Sequence, residues 1–289
     1  MLTDVPGVEV GHWTDEEART GCTVALFPEG TVASGEIRGG APATREFALL
    51  DPSRLVHRID AVMLSGGSAF GLASGHGAME WLAERERGFE TAGGVVPIVV
   101  GLSLFDLTQG DSSVRPDATA GRAACDAASA GTHPIGLVGA GTGAMVDKWF
   151  GRDHAQPGGL VTATSGHGEL VVSCLIAVNA VGAVDDGTRT DDLPPPPRPV
   201  TDGDEPDPDT FGNTTIGVVA TNAVATKTDC LNLARAGHHG CARSLYPSHT
   251  AGDGDALVVA ATGQVEVDQA VLKVMVTNVV TRAIRSLSG

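Results

Sequence analysis

Phe211-Gly212-Asn213-Thr214-Thr215-Ile216-Gly217-Val218-Val219-Ala220-Thr221-Asn222 marks an abrupt change of character in this 289-residue chain. Upstream, residues 185 to 210 hold nine carboxylates and a Pro194 to Pro197 run. Such a composition buries no apolar surface and stays solvated or extended. Downstream, the small and β-branched run from Thr214 to Thr221 reads as a core strand. Asn213 is open to two readings. It is a turn residue opening a strand, or the residue before a cut that would make Thr214 a new N-terminus.

The second reading has chemical content. A threonine hydroxyl is a weak nucleophile until a base removes its proton, and an α-amine, with a reference pKa of about 7.7 to 8.0, is such a base near neutrality. An interior threonine has no amine. Thr214 Oγ1 could make the cut itself by attacking the Asn213 carbonyl, shifting the acyl group from nitrogen to oxygen and leaving an ester for water.

Composition narrows the alternatives. Gly 39, a 42% hydrophobic fraction and 4% aromatics predict close packing of small side chains and backbone-lined sites. The length suits one large α/β domain over residues 1–289. A net charge of −16, with no basic stripe, argues against nucleic acid or an anionic membrane as partner. The five cysteines, Cys22, Cys125, Cys174, Cys230 and Cys241, show no paired spacing, which predicts a reducing compartment. The N-terminus lacks a basic region followed by an apolar run, and no stretch reaches the roughly 18 apolar residues of a membrane helix. The expectation is a soluble, cytoplasmic protein.

Strands are expected at Val8 to Val10, Cys22 to Phe27, Val32 to Ile37, Ala61 to Leu64, Val95 to Val100, Ile135 to Val138, Glu169 to Val184 and Ala256 to Ala261. Helices are expected at about Ala69 to Arg87, Asp117 to Ala130, Thr226 to Arg235 (ended by Gly237) and Val267 to Leu287. This alternation is an α/β pattern. Ser65-Gly66-Gly67-Ser68 lies between a strand and a helix, where backbone N–H groups converge on an anion or oxyanion. Phe70 stands where a nucleophile elbow needs its second glycine, so the turn reads as wall or oxyanion support. Arg38 to Glu46 is a glycine-rich loop that could present cations or amides to a site. Gly139 to Ala144 matches G-x-G-x-x-A, but Gly151 would break the following helix and no acid ends a second strand about 20 residues on, so a dinucleotide is not expected. Cys230, His238, His239 and Cys241 fit no zinc spacing, and neither metal nor cofactor is expected. Asn179 is the one strongly polar side chain in an apolar strand; it either ties the core together or aims its amide at an oxyanion. Asp253 and Asp255, two apart on extended backbone, share a face and require a cation between them unless they stand in solvent.

Several stretches together resemble the self-processing N-terminal-nucleophile hydrolases that include the L-aminopeptidase/D-amidase/D-esterase and the nylon-oligomer endohydrolase. The carrying stretches are RGGAPATRE (38–46), LSGGSAFGL (64–72), GAGTGAMVDK (139–148), AVNAVG (177–182), GNTTIGVVATN (212–222) and HTAGDGD (249–255). The resemblance implies a four-layer αββα sandwich. It also implies cleavage into residues 1–213, an α chain carrying the acidic linker 185–213, and residues 214–289, a β chain, with the cleaved pairs assembling as a homo-oligomer. Carried over by position, Thr214 is the nucleophile, Lys148 the lysine beside it and Asn179 the oxyanion donor. Asp253 and Asp255 orient the amine and the lysine. Phe105 stands where the nylon hydrolase has an active-site tyrosine, so one phenolic donor is missing.

The expected activity is amide hydrolysis of small peptides or non-standard amides, as an aminopeptidase. Two alternatives remain from sequence: acyl transfer to an amine, as in the similarly self-cleaved ornithine acetyltransferase, and an uncleaved, inactive homologue that acts by binding.

Overall fold

The computed structural model describes residues 1–189 and 212–288, so most of the expected acidic linker lies outside the described residues. The first sheet contains β1 (Glu9–Asp15) and β2 (Thr20–Leu26), and β3 (Val32–Ile37) crosses to the second sheet. The first is completed by β4 (Ala43–Arg45), β5 (Ala61–Ser65) and β6 (Val99–Ser103), in the order β1-β2-β5-β6-β4. The second adds β7 (Gly159–His167), β8 (Leu170–Asn179), β9 (Thr214–Ala223) and β10 (Ala256–Val265), in the order β7-β8-β9-β10-β3. Only the β5/β6 and β9/β10 pairs are parallel.

The two sheets pack face to face. Leu64, Val100 and Leu102 from the first meet Leu175, Ile216, Val218 and Val258 from the second in one buried core. The outer face of the first sheet is covered by α1 (Ser74–Ala83) and α2 (Ala118–Asp126), which bury Ala78, Leu82, Ala120 and Ala124 against Val24 and Met63. The outer face of the second is covered by α3 (Lys227–Ala242) and α4 (Gln269–Arg285). These four layers are the αββα sandwich. Covered on both faces, β9 is buried at all ten positions, which is why its sequence is continuously apolar or small instead of alternating.

Side chains fix the helix starts. Thr226 and Asp229 form a reciprocal capping box at α3, and Asp117 and Asp268 accept backbone N–H groups at α2 and α4. The five cysteines are buried and unpaired.

Several expectations require correction. Val95 to Val100 divides between a hairpin strand, Gly94–Val96, and β6, and the strand expected over Glu169 to Val184 ends at Asn179, with Ala183–Val184 pairing separately with Leu245–Tyr246. Ile135 to Val138 is not a strand: Gly136 makes one isolated bridge to Leu160, and Ile135 and Leu137 are exposed. Gly139–Gly141 then forms a short 3-10 turn whose amides bond Thr14 and Thr23 hydroxyls, so the glycine pattern serves packing against β1 and β2. Nor does Gly237 end α3, which runs on to Ala242. Gly237 and Gly240 lie where α3 meets β10 and α4; a Cβ on Gly240 would stand 2.7 Å from Thr277 O and 2.8 Å from Val280 Cβ. These glycines set a contact distance and do not terminate the helix.

Replacing Gly240 with alanine therefore opposes two effects. The gain in helix propensity is about 1 kcal/mol, whereas overpacking a rigid contact costs about 1–3 kcal/mol. The expected result is a Tm lower by about 2–6 °C in a thermal melt; a higher Tm would mean that α4 yields without cost.

Candidate active site

Strand register assembles the centre. In the antiparallel β8/β9 pair, Asn179 stands opposite Thr214. In the parallel β9/β10 pair, Ile216 stands opposite Ala256, and the same offset carries back to a bridge between Asn213 and Asp253. The end of β8, the start of β9 and the lead-in to β10 thus converge. Asn213 is no turn residue; it extends β9 toward the Asp253 to Asp255 turn.

Thr214 is 4% exposed, and its Oγ1 donates to the carbonyl oxygen of Asn213. That carbonyl also accepts the Gly254 N–H at 2.8 Å. One residue earlier, the Gly212 carbonyl accepts from Asn179 Nδ2 at 3.0 Å and Lys148 Nζ at 3.1 Å. Asn179 is fully employed: Nδ2 also donates to Phe105 O at 3.0 Å, while Oδ1 accepts from Met145 N at 2.9 Å and Lys148 Nζ at 3.0 Å. The amide ties these elements together, and its Nδ2 also points at the chain entering Thr214. Phe105 touches the same place, with its ring against Gly212.

Lys148 is carried by the segment whose amides bond Gly182 O and Val181 O just past β8. Burial pushes its ammonium down to about 7, with Asp253 and Asp255 opposing that shift. Asp253 is raised to about 6, first by burial and then by the charge of Asp255. Its Oδ2 accepts from the Thr250 N–H and hydroxyl at 2.8 and 2.7 Å. Asp255 reaches β9 directly, its Oδ1 accepting the Thr215 N–H at 2.5 Å.

His249 is a residue that sequence reasoning left without a role, although it opens the HTAGDGD stretch. Its Nδ1 lies 2.7 Å from Asp255 Oδ2. Burial lowers the imidazole pKa, but the hydrogen bond and charge of Asp255 outweigh it and leave the group raised. The Gly254 amide was equally invisible, because only the register places it on the Asn213 carbonyl.

The glycine-rich loop from Arg38 supplies amides, not cations. Arg38 N and Ala41 N donate at 2.9 Å to Asp255 O and Asp253 O. A Cβ on Gly39 would stand 2.2 Å from Asp253 O, so only glycine allows this approach.

Ser65, Gly66, Gly67 and Ser68 lie one step removed. Gly66 N, Gly67 N and Ser68 N donate to Gly21 O, Asp106 Oδ1 and Leu104 O, which leaves none of these three amides for an oxyanion. Ser103 Oγ also binds the Ser65, Gly66 and Ser68 carbonyls. The turn braces residues 104 to 106 and thereby holds Phe105 against Asn179 and Gly212.

From Lys148 a cleft of about 350 Å³ opens outward, lined among the described residues by Thr108, Gln109, Met145, Lys148, Arg152 and Ala155. The centre thus combines a buried hydroxyl on a carbonyl, two convergent donors, a lysine titrating near neutrality and a cleft leading in. Such a set is suited to acyl chemistry.

Comparison with known proteins shows the family and the fold. The family model for peptidase family S58 matches residues 1–288. An uncharacterized aminopeptidase of Mycobacterium leprae is 42% identical over 293 residues, covering 92% of this chain and 79% of that protein. A 6-aminohexanoate-oligomer endohydrolase of Kocuria sp. is 30% identical over 278 residues, covering 91% and 75%. Among solved structures, a β-aminopeptidase of Burkholderia sp. superposes with a TM-score of 0.72 at 23% identity, over 98% of this chain and 84% of that one. The L-aminopeptidase D-Ala-esterase/amidase of Ochrobactrum anthropi, described as a variant of the Ntn hydrolase fold, gives 0.70 at 18% identity, with 98% and 84% covered. At those identities the structural likeness speaks for the fold, and the family match over nearly every residue speaks for the rest: the chain belongs to peptidase family S58 and is a hydrolase with the N-terminal-nucleophile fold.

Proposed function

We propose that this chain cuts its own Asn213–Thr214 bond and then, with Thr214 as N-terminal nucleophile, hydrolyses amide bonds of small peptides or non-standard amides, releasing N-terminal residues. The reading rests on one contact above all, that of Thr214 Oγ1 with the carbonyl of the bond to be cut. In the uncut chain Thr214 N is a peptide amide and cannot serve as base. Lys148, held near pKa 7, is the group beside the bond whose neutral form is populated at neutral pH. Its Nζ reaches Gly212 O, one residue before Asn213.

The chemistry then runs in two stages. Thr214 Oγ1 loses its proton and attacks the Asn213 carbonyl carbon, while the Gly254 N–H supports the oxygen that gains charge. The C–N bond breaks as the departing nitrogen takes up the proton that Lys148 accepted from the hydroxyl, and an Asn213 ester on Thr214 remains for water to hydrolyse. Cutting frees the tail at Gly212 and Asn213, so the Asn179 and Lys148 donors become available to a substrate carbonyl. The new α-amine, next to Asp255 through Thr215, takes over as base for the second stage. Thr214 Oγ1 attacks the substrate amide, the amine product leaves with a proton, and water cleaves the acyl ester. We place the enzyme in a reducing cytoplasm, for which five buried, unpaired thiols are suited, and expect the cut pairs to form a homo-oligomer.

Intact mass spectrometry of purified protein should give two species, residues 1–213 and 214–289. Thr214→Ala should give one full-length species without amidase activity; two fragments from that variant would move the nucleophile elsewhere.

Self-cutting should also depend on pH. Lys148 must be neutral to accept a proton, so the rate should be low below pH 6, rise with a midpoint near 7 and level off above. Asp253, raised to about 6, favours the charged lysine once ionised and so holds the midpoint up. Lys148→Arg keeps the charge but cannot lose it, so precursor should persist across the range. A normal rate in that variant, followed by fragment mass against time from pH 5.5 to 8.5, would assign the proton to another group.

A further inference from the structure

We infer that His249 is the resident cation of the centre, an imidazolium held on Asp255 that balances the carboxylate pair while the base beside Thr214 is neutral. It is a positioning residue, acting through Asp255 and not on the substrate. This rests on the hydrolase reading above and adds to it a residue to which that reading gives no step.

Charge balance is the first observation. Asp253 and Asp255 are both buried, and two buried carboxylates need a counter-ion. Self-cutting removes the cations that the sequence suggests for them: before the cut there is no α-ammonium, and Lys148 serves as base only when neutral. Lys148 Nζ in any case donates to Asn179 O, Asn179 Oδ1 and Gly212 O, and to neither aspartate. Among the described residues, the one ion pair made by either aspartate joins His249 Nδ1 to Asp255 Oδ2 at 2.7 Å.

The directions of the hydrogen bonds are the second. Nδ1 faces a carboxylate oxygen, and Nε2 lies 3.3 Å from His238 O, a carbonyl that only accepts. A neutral ring has one N–H, so two acceptors match the imidazolium, which has two. Asp255 in turn receives three donors, the ring, the His249 N–H at 3.3 Å and the Thr215 N–H, a set that suits a carboxylate. His249 stands at φ 57°, a left-handed conformation costly for any residue but glycine, and it is held there with backbone and ring on the same oxygen.

The neighbouring groups leave this charge to His249. His238 on α3 meets it edge to face with centroids 4.8 Å apart, but its Nε2 lies 2.9 Å from Glu36 O and burial pushes its pKa down to about 4, so it stays neutral. Cys241, also on α3, stays a thiol, because burial raises its pKa well above the ordinary value. Arg38, after β3, acts on His238, while Asp253 acts on His249 together with Asp255. Burial opposes the imidazolium, and the two carboxylates outweigh it. On the far side, Asp253 and Asp255 favour the charged form of Lys148, which Arg152 disfavours. A cation on Asp255 therefore weakens the hold of that carboxylate on the lysine proton.

Two measurements test this, and the first needs neither activity nor a variant. In protein labelled with nitrogen-15 and carbon-13, the His249 ring, assigned through its own backbone, should show two protonated nitrogens at pH 7.0, where an ordinary imidazole of pKa about 6.5 is mostly neutral. One protonated and one bare nitrogen at that pH would overturn the inference. The second is the self-cutting rate against pH, read by fragment mass. His249→Gln keeps a donor toward Asp255 and loses the charge, so the midpoint of the rate should rise by roughly half a unit to one unit. His249→Lys restores a charge and should bring the midpoint back toward wild type. A lower rate at an unmoved midpoint is what a merely structural His249 would give, and it would overturn the inference. If the wild type is never cut, the hydrolase reading fails, and the ring nitrogens alone decide whether His249 is the counter-ion of Asp255.

Discussion

The register of β9 between β8 and β10 is the constraint on which the centre depends. Thr214 faces Asn179 on one side, and Asn213 bridges Asp253 on the other. A slip of one residue would turn each side chain of β9 to the opposite face. Ile216, Val218 and Ala220 would leave the inter-sheet core, and Thr214 would lose its place opposite Asn179. The apolar packing on both faces of β9 therefore does more than stabilise the sheet. It fixes a hydroxyl against a carbonyl within a buried layer, where neither group can drift.

The surrounding elements serve that placement at a distance. The loop from Arg38 clamps the Asp253 to Asp255 turn through backbone amides, with Gly39 making the approach possible. His249 holds the far oxygen of Asp255, leaving the near one for the Thr215 amide. The Ser65 to Ser68 turn, through Leu104 and Asp106, holds Phe105 on Asn179 and Gly212. The Arg38 loop and the Ser65 to Ser68 turn act through main-chain groups, whereas His249 fixes a side chain directly. Hydrogen bonding at the Gly212 carbonyl falls on Asn179 and Lys148.

Much of this was legible in the residues. The layered α/β architecture followed from alternating strand and helix patterns, and the boundary at Thr214 from an acidic, proline-rich stretch meeting a buried strand. Asn179 drew notice because an amide in an apolar strand must find partners. What was not legible depended on main-chain geometry. The Gly254 amide, the amides of the Arg38 loop and the register itself leave no mark on residue type. Gly237 misled, because a glycine that suits a helix end also suits close packing of backbones, as the glycines from Gly139 to Gly143 do. His249 was passed over because one histidine near two aspartates reads as an ordinary loop residue until the fold brings it onto Asp255.

The central claim is that the hydroxyl of Thr214 carries the acyl group. Trapping tests it most directly: incubate the purified protein with a β-lactone, whose ring opening acylates a nucleophilic hydroxyl, then digest and locate the adduct by tandem mass spectrometry. The account predicts a single stoichiometric adduct on Thr214, at the first position of the 214–289 fragment. An adduct on another side chain, with Thr214 unmodified and activity lost, would contradict it.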